Sequence, residues 1–360
     1  MIDRGIITIE KIIALGDGMG HLEDGRVVFV PRSLPGERVK IRVTRGKKDF
    51  LRGEITEIME ASPHRIPPRC GYCGGCDLQI ALSDCQTKIK LDILQDTFRR
   101  AGCAIPPVET ITGSPWEYRS RFQFHRRTVP PDCPAAVGAI RRMLQKHAFS
   151  SIKLARWNLF AGTGGVAAEG LGDPVCEARL LDKTFRFDVG GFFQSNLPLA
   201  ERMIPEVCRG LSGGEALDMY SGAGVFAGFL LDAFDRVTTV EQNPTSVAWA
   251  VQNLREMSVL SRCTAFAQSA RDWVKQNAAA RFDAVVADPP RTGLEPETAR
   301  WLCGAKIPRI RYVSCNPVTL ARDAAILCGA GYRLSALRFF DFYPQTHHLE
   351  LLANFDRRED

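Results

Sequence analysis

No apolar run in these 360 residues approaches the roughly 20 needed to cross a bilayer, so no membrane-spanning helix is expected. Residues 1–11 carry acidic side chains and lack the apolar centre of a secretory leader, which makes the cytoplasm the expected compartment. Internal repeats and low-complexity tracts are missing, which excludes disorder, collagen and coiled coil as the main state. A strong charge of one sign is missing too: 47 Lys+Arg stand against 41 Asp+Glu, a net charge of +6. What is present is the profile of a globular chain, 45% hydrophobic and 24% charged, long enough for two or three domains. The cations lie to the front: 29 against 22 acidic residues over 1–190, and 18 against 19 over 191–360. A basic front half suggests a polyanion such as nucleic acid as partner. Twelve cysteines in a cytosolic chain point to metal binding or chemistry rather than to a disulfide framework.

Residues 1–58 read as a small β-barrel. Gly16-Asp17-Gly18-Met19-Gly20 is turn-rich, Arg26 to Pro31 is a strand, and Arg38-Val39-Lys40-Ile41-Arg42-Val43 alternates with period 2. The tip Arg45-Gly46-Lys47-Lys48 is basic, and a barrel with a basic face suits an oligonucleotide. Residues 59–190 form a mixed middle domain. It holds a Pro-rich linker, the cluster Cys70-Gly71-Tyr72-Cys73-Gly74-Gly75-Cys76, a helix over 77–101 and an irregular, strand-rich stretch. Arg119, Arg121, Arg126 and Arg127 are its candidate phosphate-gripping residues.

From 191 to 360 strands and helices alternate strictly. Strands fall at 215–220, 236–241, 263–267, 282–287 and 310–314, with helices at 223–233, 244–257, 269–279, 295–303 and 317–329. That pattern predicts an α/β domain with a doubly wound, mostly parallel sheet, and two late strands near 331–341 and 347–355 close it. Ligands of such sheets sit outside the carboxyl ends of the strands. The first turn, Asp218-Met219-Tyr220-Ser221-Gly222-Ala223-Gly224, can bring backbone close to a ligand, and Glu241 after the next strand can accept ribose hydroxyls. This turn alone does not separate NAD from other nucleosides. The fourth strand ends in Asp288-Pro289-Pro290-Arg291, a stiff loop presenting a carboxylate. The fifth ends in Ser314-Cys315-Asn316-Pro317. Cys315 stands just before a helix N-terminus, where the dipole favours a thiolate. Thr346-His347-His348-Leu349-Glu350 opens the last strand, and a carboxylate there among apolar neighbours suits a general base.

Together "VVFVPRSLPGERVKIRV", "CGGC", "FFQSN", "DMYSGAGVF", "DPPRTGL", "VSCNP" and "THHLE" resemble the RNA 5-methyluridine (uracil-5-) methyltransferase family, in its TRAM-domain, iron–sulfur branch that includes ribosomal-RNA enzymes. The resemblance covers essentially the whole chain. It implies a Rossmann-like class I methyltransferase domain, an N-terminal TRAM/OB-like barrel and a mixed middle domain. It implies S-adenosylmethionine as methyl donor and RNA as partner, ribosomal rather than transfer RNA. No membrane and no obligate protein partner are implied. Cys315 matches the cysteine that attacks carbon 6 of uracil, and Glu350 the glutamate that removes the carbon 5 proton. Gln194, Tyr220, Glu241 and Asp288 match cofactor-site positions. The chain departs from the family at Val225, where Asn is usual, and at Ser221, where Cys is frequent. The resemblance also implies a 4Fe-4S cluster on Cys70, Cys73, Cys76 and Cys133; zinc is the other metal such thiols would take. Three other outcomes stay open at this level: a transfer-RNA enzyme, a DNA cytosine enzyme, and a non-catalytic RNA-binding or RNA-folding protein.

Overall fold

The alternation Arg38-Val39-Lys40-Ile41-Arg42 buries two side chains and exposes three, and it becomes a strand. This is seen in a computed structural model that describes residues 4–46, 50–71, 73–125 and 129–358. Lys47, Lys48, Tyr72, Arg126 and Arg127 lie outside the described residues. The chain divides into two compact units: Met1–Arg100 with Tyr343–His348, and Ala101–Phe342 with Leu349–Asp360.

The first unit holds β1 (Arg4–Thr8), β2 (Lys11–Ile12), β3 (Gly18–His21), β4 (Val27–Val30), β5 (Arg38–Gly46), β6 (Leu51–Glu60) and α1 (Ser83–Arg100). Its six strands pair in the order β1-β5-β6-β4-β3-β2 over a core that includes Val28, Val30, Val39 and Ile41. Three cations of β5 on the face expected to be basic are paired. Arg38, Lys40 and Arg42 on β5 each meet a carboxylate of β6: Glu60 at 3.2 Å, Glu57 at 3.7 Å and Glu54 at 3.0 Å. The reason is antiparallel register, which sets like-numbered steps of opposite charge side by side. Changing all three cations to Gln should therefore alter the slope of log affinity for RNA against log salt by less than about one. Three phosphate contacts would be worth roughly 2–3. A salt titration of RNA binding reads the difference. The helix expected over 77–101 begins only at Ser83. Before it, the Gln79 side chain donates to the Cys70 carbonyl (2.8 Å), and Ala81 bridges Arg65, so residues 77–82 serve the loop instead.

The second unit opens with β7 (Val108–Ile111), β8 (Arg121–His125), α2 (Gly138–Gln145), β9 (Arg156–Gly162), β10 (Gly165–Ala168), β11 (Val175–Leu180), β12 (Lys183–Asp188) and α3 (Leu197–Cys208). Strands β10-β9-β8 form a small sheet over a core around Trp157, Phe124 and Phe149, and β11-β12 is a hairpin. The alternating part follows: β13 (Gly213–Met219), α4 (Val225–Leu230), β14 (Phe234–Glu241), α5 (Pro244–Glu256), β15 (Cys263–Ala267), α6 (Ala270–Gln276), β16 (Ala284–Ala287), α7 (Pro296–Gly304), β17 (Arg309–Ser314), α8 (Pro317–Gly329), β18 (Tyr332–Phe340) and β19 (Glu350–Arg357). The sheet order is β15-β14-β13-β16-β17-β19-β18-β7. Strands β13 to β17 are mutually parallel, while β19 runs antiparallel to both β17 and β18. This is the expected Rossmann-like sheet with its closing antiparallel pair. Strand β7, not expected, adds a parallel edge beside β18. No helix among the described residues is long and apolar enough to cross a membrane.

Candidate active site

The turn after β13 is built by backbone demands. Asp218, fully buried, accepts the Ala227 N–H through Oδ2 at 2.9 Å and so pins the start of α4. Burial pushes its carboxyl well above the ordinary range. Gly224 is left-handed (φ 82°), and a Cβ there would stand 3.0 Å from that of Ala250. Asn253 of α5, fully buried, donates to the Ala223 carbonyl at 3.0 Å and to the Arg186 carbonyl at 3.0 Å, tying the turn to β12. Glu241, at the end of β14, accepts from Gly222 N–H (3.1 Å) and Asn243 N–H (2.8 Å). It therefore helps to shape the turn.

In front of the turn lies a cavity of about 580 Å³ that opens to solvent. Gln194, Tyr220, Ser221, Val225, Asp288 and Phe342 line it. Three of the four expected cofactor residues are thus gathered there, while Glu241 is not among its walls. Gln194 Oε1 and Ser221 Oγ are buried with no hydrogen-bond partner. Two orphaned polar oxygens in a mostly apolar cleft that also holds Asp288 call for a ligand that carries hydrogen-bond donors. The amino and hydroxyl groups of S-adenosylmethionine are such donors, so the residues present fit it. Tyr220 sits in the left-handed region (φ 62°) and gives its hydroxyl to Glu295, the residue that precedes α7.

The reacting groups converge at the ends of β16, β17 and β19. Ser314 pairs with Leu351 at the end of that antiparallel ladder, and Glu350, the residue before Leu351, is an electrostatic neighbour of Cys315. Glu350 is 3% exposed. Burial, then the neighbouring Asp288, pushes its carboxyl well above the ordinary range, against the pull of Arg291. Burial pushes the Cys315 thiol up to about 11; Glu350 and Asp288 add to this, and the Arg291 guanidinium, hydrogen-bonded to the sulfur, opposes it. Asp288 is pushed up to about 7 by burial. Its folded value lies above the unfolded one near 3.8, so its neutral form is favoured and stability is lost as pH rises from about 4 to 7. Asp288→Asn should thus gain thermal stability over the wild type at pH 8 but not at pH 4. The gain has a ceiling of about 4 kcal/mol, and melting curves at the two pH values check it.

A second layer holds these groups, and sequence reasoning missed it. Asn316 caps α8 through the Val318 N–H (3.0 Å) and donates its amide to the Arg291 carbonyl (2.8 Å). Asp323, 1% exposed, accepts from Leu294 N–H (2.9 Å), the Tyr312 hydroxyl (2.7 Å) and Arg322 (2.8 Å). A Cβ on Gly293 would strike Asp323 and Arg322 within 2.7 Å. The helix that begins beside Cys315 is therefore stitched to the loop that carries Asp288 and Arg291. The Asn-Pro after the cysteine was the only sequence signal for it.

The other candidates differ. Cys70 and Cys76 are half-buried, Cys73 is exposed and Cys133 is buried in the core around Trp157. Among the described residues no three His, Cys, Asp or Glu side chains form a group that could hold a metal ion. Arg119 lies over the Phe122 ring at 4.6 Å, and Arg121 donates to the Gly191 carbonyl at 3.0 Å. Both are half-buried and make these contacts within the fold.

The model of the tRNA (Uracil-5-)-methyltransferase family matches residues 179–357, and that of the TRAM domain matches residues 7–56. An uncharacterized RNA methyltransferase of Treponema denticola is 32% identical, over 98% of this chain and 99% of its own length. The 23S rRNA (uracil(1939)-C(5))-methyltransferase RlmD of Methylococcus capsulatus is 31% identical, over 97% and 96%. Among solved structures, the Pyrococcus abyssi tRNA (uracil-54, C5)-methyltransferase in complex with S-adenosyl-L-homocysteine superposes with a TM-score of 0.75. It is 25% identical and covers 98% of this chain and 99% of its own. The cleft with its orphaned oxygens and the cysteine beside a buried glutamate lie in a chain that belongs to the S-adenosylmethionine-dependent RNA uracil-5-methyltransferases.

Proposed function

We propose that this enzyme methylates carbon 5 of a uridine in 23S ribosomal RNA through a covalent adduct between Cys315 and carbon 6. The observation that carries the covalent step is the position of Cys315 just past the end of β17, with Glu350, Asp288 and Arg291 as its electrostatic neighbours. Uracil carbon 5 is a poor nucleophile, and covalent catalysis splits the difficult step in two. Arg291 and the N-terminus of α8 favour the Cys315 thiolate. Its attack forms the Sγ–C6 bond and moves the C5=C6 pair toward carbon 5 and the O4 carbonyl. S-adenosylmethionine supplies a methyl group on a sulfonium sulfur, and Gln194, Tyr220, Ser221 and Asp288 line the cleft that would hold it beside carbon 5. Glu350 then takes the carbon 5 proton. The C–H pair re-forms the C5=C6 bond, and the Sγ–C6 bond breaks with its electrons returning to sulfur.

The ribosomal target is favoured by the relative from Methylococcus capsulatus, which the chain matches almost end to end. A transfer-RNA target is the second reading, favoured by the fold of the Pyrococcus abyssi enzyme. Supplying a labelled methyl donor with total RNA lacking 5-methyluridine, then sizing and digesting the RNA, separates them. Labelled 5-methyluridine in the large ribosomal RNA supports the first reading; label in transfer RNA replaces it with the second.

A 4Fe-4S cluster on Cys70, Cys73, Cys76 and Cys133 is proposed from the resemblance to the iron–sulfur branch of the family, and no step is routed through it. Anaerobically purified protein should then carry about four irons and four sulfides per chain; zinc, or no metal, would end the assignment.

A further inference from the structure

The residues that lead into Glu350 do not share its unit. Tyr343–His348 belong to the first unit, while Phe342 and Leu349 on either side belong to the second. Strands β18 and β19 are antiparallel neighbours, which a hairpin of 2–5 residues would connect. The connection instead leaves the sheet and is bound elsewhere. Gln86 of α1, 3% exposed, donates through Nε2 to Gln345 Oε1 (2.9 Å) and accepts the Gln345 N–H through Oε1 (2.8 Å). Leu78 N–H donates to the Gln345 carbonyl at 2.9 Å. Lys90, fully buried, donates to the Tyr343 carbonyl at 2.9 Å. Asp77 takes His347 twice: Oδ1 accepts its N–H at 3.1 Å, and Oδ2 meets Nδ1 at 2.6 Å. Gly16, in the turn between β2 and β3, closes over that pair. A Cβ there would lie 2.2 Å from Asp77 Oδ2 and 2.5 Å from His347 Nδ1.

Buried amides and a buried ammonium are tolerated only when partnered, and a satisfied network specifies one conformation. Here that conformation belongs to the six residues that end two positions before Glu350. At the other end of the segment, Asn196 donates to the Phe342 carbonyl at 3.1 Å, so the segment is fixed on both sides of its excursion.

We propose that Asp77, Gln86 and Lys90 are positioning residues for Glu350, so that the base is correctly placed only while the first unit grips residues 343–348. This rests on the reading of Glu350 as the base. Attack by Cys315 and methyl transfer precede proton removal. A displaced base therefore slows only the last step, in which the carbon 5 proton passes to the carboxylate and the Sγ–C6 bond breaks. The intermediate that waits is a protein–RNA adduct already carrying the new methyl group.

The test uses the full chain, unmodified target RNA and a labelled methyl donor, with denaturing gels to count labelled RNA bound to protein. Glu350→Gln is the reference. Asp77→Ala and Gly16→Ala should each raise the labelled adduct at least about tenfold over wild type and lower kcat to match, with KM for the donor within about twofold. Asp77→Asn, which keeps an acceptor for the His347 N–H, should restore turnover. His347→Ala removes the ring without touching α1, so a folding failure in one variant leaves another to decide. If Glu350→Gln accumulates adduct and the grip variants turn over like wild type, the positioning role is wrong and the base assignment stands. If folded grip variants lose adduct and turnover together, the role is likewise overturned. If Glu350→Gln accumulates nothing, the base assignment falls and takes this inference with it.

Discussion

Cys315→Ala should lower the rate of methyl transfer to uridine by at least about ten-thousand-fold, because it removes the bond that makes carbon 5 nucleophilic. Cys315→Ser should do no better. Burial and two carboxyl groups outweigh one guanidinium at the half-buried sulfur, so even the thiol is pushed up to about 11. A hydroxyl there ionises far less readily. The loss belongs to chemistry alone. Cys315 does not line the 580 Å³ cleft, so S-adenosylhomocysteine should bind the variant within about twofold of wild type, as calorimetry can show. A variant that lost donor binding as well would point to a collapsed site rather than a missing nucleophile.

Glu350→Gln should slow release of methylated RNA by roughly 10²–10⁴-fold, the usual worth of a positioned general base. It should also accumulate RNA bound to protein through a methylated base. The substitution keeps shape and removes only the ability to accept a proton. It should not cost the fold. Burial and Asp288 already oppose the charged carboxylate, so a neutral amide is at least as well tolerated at neutral pH. Wild-type turnover in this variant would assign the proton to another group, and Asp288 is the nearest alternative.

Much of this architecture is legible in residue order because the parts that carry it are local. Strand ends followed by helix caps mark Asp218, Asp288 and Cys315, and each falls at the carboxyl end of a parallel strand. What stays hidden depends on pairing across long separations. Arg38, Lys40 and Arg42 look like a basic face until β6 sets Glu54, Glu57 and Glu60 beside them. Glu241 has the spacing of a ribose acceptor, and its carboxylate also holds the backbone N–H groups of Gly222 and Asn243, which the spacing does not announce. Asp323 and Asn253 are ordinary helix residues in sequence, yet they hold the loops of the site. The same holds for Gln86 and Gln345, 259 positions apart, whose reciprocal amide pair no local pattern announces. Strand β7 escapes notice because four residues at a sheet edge are too few for periodicity to register.

The central claim is the covalent bond between Cys315 and the target uracil, and RNA containing 5-fluorouridine tests it most directly. Fluorine at carbon 5 cannot be removed as a proton, so the reaction must stop after methyl transfer. Mass spectrometry of the digested product should then find a fluorinated, methylated uridine joined to the peptide that contains Cys315. Free 5-methyluridine formed on normal RNA, with no adduct on the fluorinated RNA or with the adduct on another residue, would contradict the account.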